Sequence, residues 1–296
     1  MDLRSRLRVI GFTTAGAILS VGNATMKGHA TFADNTAGGW AGAIYSLGSV
    51  VLDGSTTFMN NSGQRDDGGA IYSSSGEVII NGATTFTDNS ASEGSGGAID
   101  LKGGDLIISG SAIFSDNFAV QFGGAIRAWS DARVFIDGDA TFARNSAFWG
   151  GGALYSQGNL TIDGNTTFAY NMATGEADGG AVSCSGNVTI NGFTTFAGNT
   201  AEGGSGGAIN SYDGLGIDGV TTFVGNMARQ GGAIHFGSIS AENITLTIDG
   251  ETTFLSNHGR TQGDGCCGWP NIDNVRNAPT SAQRPIHSTL AGCRFL

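Results

Sequence analysis

Two short motifs alternate along this chain with a period near 27 residues, and no fold that ignores the repeat can accommodate it. One is Gly-Gly-Ala-Ile, the other Phe-x-x-Asn. The phenylalanines are Phe32, Phe58, Phe86, Phe114, Phe142, Phe168, Phe196, Phe223 and Phe254. Each is followed three residues later by Asn: Asn35, Asn61, Asn89, Asn117, Asn145, Asn171, Asn199, Asn226 and Asn257. The aliphatic slot of the other motif runs from Ile18 through Ile71 and Leu154 to Ile234, and only the first two copies replace a Gly, by Ala15 and Ala41. A fixed period of this size means stacked supersecondary units, each burying its apolar face only against its neighbours.

Residues 68–89 show one unit. Val78 and Ile80 share a face that Ile79 does not, and Asn81-Gly82 closes the stretch. Thr84 and Phe86 then share a face opposite Thr85. Alternation over such short spans, rich in Val, Ile, Thr and Phe and punctuated by Gly, predicts strands, three to a unit with three turns. No 12-residue stretch carries a helical apolar stripe. A propeller needs about 40 residues and four strands per blade, and a collagen needs Gly at every third position. The expected fold is therefore all-β: a single-stranded, right-handed parallel β-helix of the pectin-lyase type, about nine rungs long. Phe over Phe and Asn over Asn become structural ladders, the buried amides bonding to those above and below. The Gly pair supplies backbone conformations that a side chain forbids.

Charge narrows the partners. The net charge is −11, and residues 11–258 hold 7 basic against 22 acidic side chains. Nucleic acid and anionic membrane surfaces are poor partners for such a body. Asn-x-Ser/Thr sequons at Asn23, Asn60, Asn159, Asn165, Asn187 and Asn243 arise readily in a repeat rich in Asn and Thr. Three domains are expected: 1–15 as a lead-in or truncated rung, 16–258 as the β-helix, and 259–296 as a loosely ordered tail. Arg4, Arg6 and Arg8 before an apolar stretch resemble a signal peptide, but Ile18 is in register with the later rungs, so the chain is expected to start inside the solenoid. Cys266, Cys267 and Cys293 lack a fourth ligand at zinc spacing, and Cys184, in the slot of Ser46, Ser73 and Ser156, is expected to be a small buried filler. No metal site or cofactor is expected.

The paired motifs, from Gly16 to Asn257, resemble the repeats of the chlamydial polymorphic membrane proteins. That resemblance implies an autotransporter-like passenger: an extracellular or outer-membrane-attached adhesin, binding a protein or glycan on a host or neighbouring cell. The sequence departs from the family in showing no train of barrel strands after the repeats and no clear signal before them. A purely structural surface or cell-wall repeat is the alternative.

Recurring slots make the frame, so binding is sought where the repeat breaks. The outward middle position of the second strand reads Val51, Ile79, Ile107, Phe135 and then turns to Thr161, Thr189, Gly216 and Thr247. Four neighbouring rungs thus present one apolar stripe. Phe118, Phe122, Phe148 and Trp149 follow the Asn of adjacent rungs and are expected within reach of one another, with Trp129 on another turn. An insertion at Ser238–Asn243 is a further loop of interest. An enzyme is not expected: Asp66-Asp67 adjoin only Arg65, and His235 takes the outward slot of Tyr45, Tyr72 and Asn210, as a surface histidine would. A polyuronate lyase or hydrolase is thus the remote reading. Asp137 over Asp163, and Asp218 over Asp249, are where weak Ca2+ binding would fall, but Asp before a turn Gly ordinarily bonds its own backbone.

Overall fold

A computed structural model describes residues 14–129, 132–237 and 244–260, and these wind into a parallel β-solenoid. Every sheet has nine strands, each paired with its equivalent one rung away, so the right-handed β-helix expected from the repeat is the fold that forms. The expected lead-in before residue 14, the insertion at 238–243 and the tail from 261 lie outside the described residues.

There are four sheets where alternation predicts three. In one rung the first sheet takes Ile71–Ser73, the second Val78–Ile80, the third Ala83–Thr87 and the fourth Ser90–Ala91. The fourth strand is two residues long, too short to display a period, and it begins directly after the Asn of Phe-x-x-Asn. Between Phe and that Asn the chain turns through a left-handed residue, with φ of 53–65° at positions such as Asn60, Asp88, Tyr170 and Gly198. This turn swings the Asn side chain inward.

Register holds slot over slot. Ile71 pairs with Ile44 and Ile99, Val78 with Val50 and Leu106, and Phe86 with Phe58 and Phe114. The nine Phe rings stack at centroid spacings of 4.7–5.0 Å and within 7° of parallel. That spacing is the interstrand distance of a sheet, so the rings repeat at the pitch the backbone imposes. Ile, Val, Leu and Phe from three sheets form one continuous core from Ala43 to Phe254.

The two Gly of Gly-Gly-Ala-Ile have separate duties. The first takes φ of 57–77° in seven copies, from Gly68 to Gly231. The second sits against the next rung: a Cβ on Gly124 would lie 2.1 Å from the Gly152 carbonyl oxygen. A Cβ on the first meets backbone too, 2.1 Å from the Ile126 carbonyl oxygen at Gly123, and the copies that lose a Gly lose the first, at Ala15 and Ala41, neither of which takes a positive φ. Cys184 lies in the serine slot, paired with Ser156 and Ser211, and is buried. Its thiol donates to the Gly158 carbonyl at 3.2 Å, and burial pushes its pKa up to about 12.

One column of the core is polar. Thr56, Thr84, Thr166, Thr194 and Thr221 point inward beside the Phe ladder, and their hydroxyls meet no hydrogen-bond partner among the described residues. Val has nearly the same shape and no hydroxyl to desolvate. Thr84→Val is expected to raise stability by roughly 1 kcal/mol in denaturant unfolding, whereas Thr85→Val, on the outer face, should move it by less than ~0.5 kcal/mol.

Candidate binding surface

The stripe assembles as the alternation requires. Val51, Ile79, Ile107 and Phe135 pair in sequence along the second sheet, followed by Thr161, Thr189, Gly216 and Thr247. The first four are half-buried, at rung steps of 4.7–4.8 Å. The Arg133 guanidinium lies over the Phe135 ring at 5.3 Å and is clamped by Asp105, with Nη2–Oδ2 of 2.6 Å. Burial alone would raise the Asp105 carboxyl, but the hydrogen bonds and charge of Arg133 outweigh it and hold it below the usual range. Beside the stripe the Asp/Asn line is knitted across rungs, Asn81 donating to Asp53 and Asn191 to Asp163. Among the described residues no three His, Cys, Asp or Glu gather as a metal site.

The loop aromatics divide into two groups. Phe148 and Trp149 stay about half exposed, meeting edge to face with centroids 5.3 Å apart. They fill positions held by Val120-Gln121 one rung earlier and Thr174-Gly175 one rung later, with the Trp149 amide bonded to the Gln121 carbonyl. Phe118 opens a fourth-sheet strand between Ser90 and Ser146, its ring also outward.

Phe122 and Trp129 go elsewhere. Phe122, its backbone bridged to Gly150 beside Trp149, packs on Tyr155, centroids 4.5 Å apart, while Trp129 receives Arg127 and Lys102 over its ring at 4.9 and 5.2 Å. Both cover a line that the sequence reading placed on the surface. The outward slot of the first sheet holds Tyr45, Tyr72, Asp100, Arg127, Tyr155, Ser183, Asn210 and His235 in register. All but Tyr155 and His235 are buried. The segments between the fourth sheet and the next Gly pair fold across this slot. Their contacts include Ser95 to Arg127 and Asp178 to Tyr212.

The slot thus becomes a second, polar core. Trp40 stacks on Tyr45 and Tyr72 at its start. In its middle, Arg127 reaches Asp67 at 2.7 Å, Ser95 at 3.0 Å and Asp100 through Nε. Asp100 is fully buried, and burial pushes its carboxyl up to about 7 against the pull of Arg127. At its end His235 is half-buried rather than a surface histidine. Its Nδ1 lies 2.6 Å from the Asn210 side-chain amide, and burial lowers its pKa.

The Chlamydia polymorphic membrane protein repeat matches the chain three times, at residues 29–47, 55–74 and 83–102. Each match spans the same arc, from a third-sheet strand through the fourth-sheet strand to the first-sheet strand of the next rung. These three stretches, all before residue 103, are similar to that repeat. No curated protein and no solved structure matches it. Among the described residues no helix is long and apolar enough to cross a membrane, which does not bear on β-barrels.

Proposed function

We propose that this chain is the passenger-like, adhesive part of a surface protein, held outside a cell and binding a protein or glycan partner. The family repeat and the solenoid fit a protein displayed at a surface. The observation that carries the adhesive part is the Phe148–Trp149 pair. Two large aromatic side chains, Trp149 at 57% exposure, replace small or polar residues of neighbouring rungs without entering either core. Exposed, mutually braced aromatics are what interface hot spots are made of, because they bury much area at small entropic cost. Phe118 on the fourth sheet and the stripe ending at Phe135 on the second are further outward apolar groups on the same or neighbouring rungs.

The test is a Phe135→Ser/Phe148→Ser/Trp149→Ser variant with unchanged circular dichroism and melting. Wild type is expected to bind cultured cells or a glycan array, and the variant to bind at least about tenfold more weakly, a change of ~1.4 kcal/mol. Equal binding by both would sink the aromatic site. Failure of the wild type to bind any surface would favour a structural filament, and release of reducing ends from polyuronate would establish an enzyme instead.

A further inference from the structure

On the third sheet the outward slot repeats threonine. From Thr141 through Thr167 and Thr195 to Thr222, four successive rungs set one hydroxyl and one methyl above the next. The Phe ladder beneath the same four rungs fixes the step at 4.7–5.0 Å. These threonines floor a shallow, open trough of about 450 Å3 that runs along the solenoid axis. Phe193 stands on one side at 66% exposure, at the start of the strand Phe193–Ala197. Tyr170, 67% exposed, stands beyond the opposite end of the adjacent strand Thr166–Ala169, its ring against Gly198. Of the residues lining the trough only Asp139 ionises, and its carboxylate already accepts from the Asn165 amide at 3.0 Å.

We infer that this trough binds an extended, uncharged polysaccharide lying along the solenoid axis. The floor offers groups that both donate and accept, repeated at a step close to the rise of one residue in an extended β-linked pyranose chain. The methyls and the flanking aromatic faces match the apolar faces of pyranose rings. Charge decides against the acidic alternatives: the lining has no cation, and the chain carries −11 overall, so uronate or sulfated chains would be repelled. The trough shares the rungs of Ile107 and Phe135 with the apolar stripe but lies on a different sheet, and it does not include Phe148 or Trp149.

Isothermal titration with cellohexaose, xylohexaose and mannohexaose, and with hexagalacturonate as the acidic counterpart, tests it. Wild type is expected to bind at least one neutral hexasaccharide and not the uronate. Phe193→Ala should weaken that binding about tenfold or more. Thr167→Val/Thr195→Val, which keeps side-chain shape and removes two outward hydroxyls, should also weaken it with the melting profile unchanged. Phe148→Ser/Trp149→Ser should leave it intact. The inference is overturned if no neutral hexasaccharide binds, if the uronate binds as well, or if the trough variants bind like wild type. Loss of binding only in Phe148→Ser/Trp149→Ser would also overturn it and assign the glycan to the loop site.

Discussion

Asn117→Ala should cost roughly 3–5 kcal/mol of folding stability, because it opens a buried amide chain in mid-length. Each Asn in this ladder uses its whole side chain. Asn117 Nδ2 donates to the Phe86 carbonyl at 3.0 Å and to Asn145 Oδ1 at 2.9 Å, while its own Oδ1 accepts from the Asn89 amide and Asn89 Nδ2, both at 3.0 Å. Truncation strands the Asn89 backbone N–H and one proton of the Asn89 amide, and takes one of its donors from the Phe86 carbonyl, all inside the protein. A buried group left unpaired costs about 1–3 kcal/mol, and the three are neighbours, so the costs fall short of additive. Asn117→Asp keeps the acceptor but loses the donors and buries a charge, and it should fare no better. Asn81→Ala, an exposed Asn outside the ladder whose amide donates to Asp53, should cost well under half as much. Urea unfolding of the three variants checks the order. A loss at Asn117 no greater than at Asn81 would mean that the ladder is not held as a chain.

The ladder is also where the sequence was most legible, and the reason is physical. In a parallel solenoid each residue stacks on its equivalent, so a slot suited to Phe or Asn in one rung suits it in all, and the period appears without any structural knowledge. The same logic sets Val51, Ile79, Ile107 and Phe135 in a line. It could not show the fourth strand, where Ser62–Gly63 and Ser90–Ala91 are too short to alternate. The left-handed residue before each Asn was also hidden, because Arg144, Tyr170 and Ser256 occupy it as well as Asp, Asn and Gly. Nor does alternation say whether an outward face meets water. Tyr72 and Arg127 point away from the main core as the pattern requires, yet both are buried, since segments of irregular length and no repeat fold over them. One signal was available: Asp100 and Arg127 fill one slot on successive rungs, and opposite charges stacked on a covered sheet face belong together.

That pair carries the second large expectation. Arg127→Met should destabilise the protein by about 3–5 kcal/mol at pH 8, the usual consequence of removing one partner from a buried ion pair. The guanidinium meets Asp100, Asp67 and Ser95 and lies over Trp129, and it is itself 3% exposed. Without it Asp100 keeps a fully buried carboxylate, one oxygen of which meets no hydrogen-bond donor among the described residues even now. Lys102, 3.6 Å from Asp67, pairs with the outer acid and cannot replace the contact to Asp100. Replacing both charges, in Arg127→Met/Asp100→Leu, should recover most of the loss, since apolar packing can equal a buried pair. The pH dependence has a definite sign. Asp100 titrates near 7 in the folded protein and near ~3.9 unfolded, so the folded form holds the extra proton. Its contribution is fully present below the unfolded value and is lost as pH rises through about 7. Arg127 is the main group that lowers the Asp100 pKa, so its removal moves the loss to higher pH and deepens it. The gap between wild type and Arg127→Met should therefore widen by up to about 1.4 kcal/mol between pH 5 and pH 8. Asp100→Asn, which cannot ionise, should lack the fall in stability that this group imposes on wild type between pH 5 and 8. His235, whose lowered pKa acts in the opposite sense, is common to both proteins and cancels in the comparison. Thermal unfolding of the four proteins across that range checks the account, and a gap that narrows with rising pH would refute it.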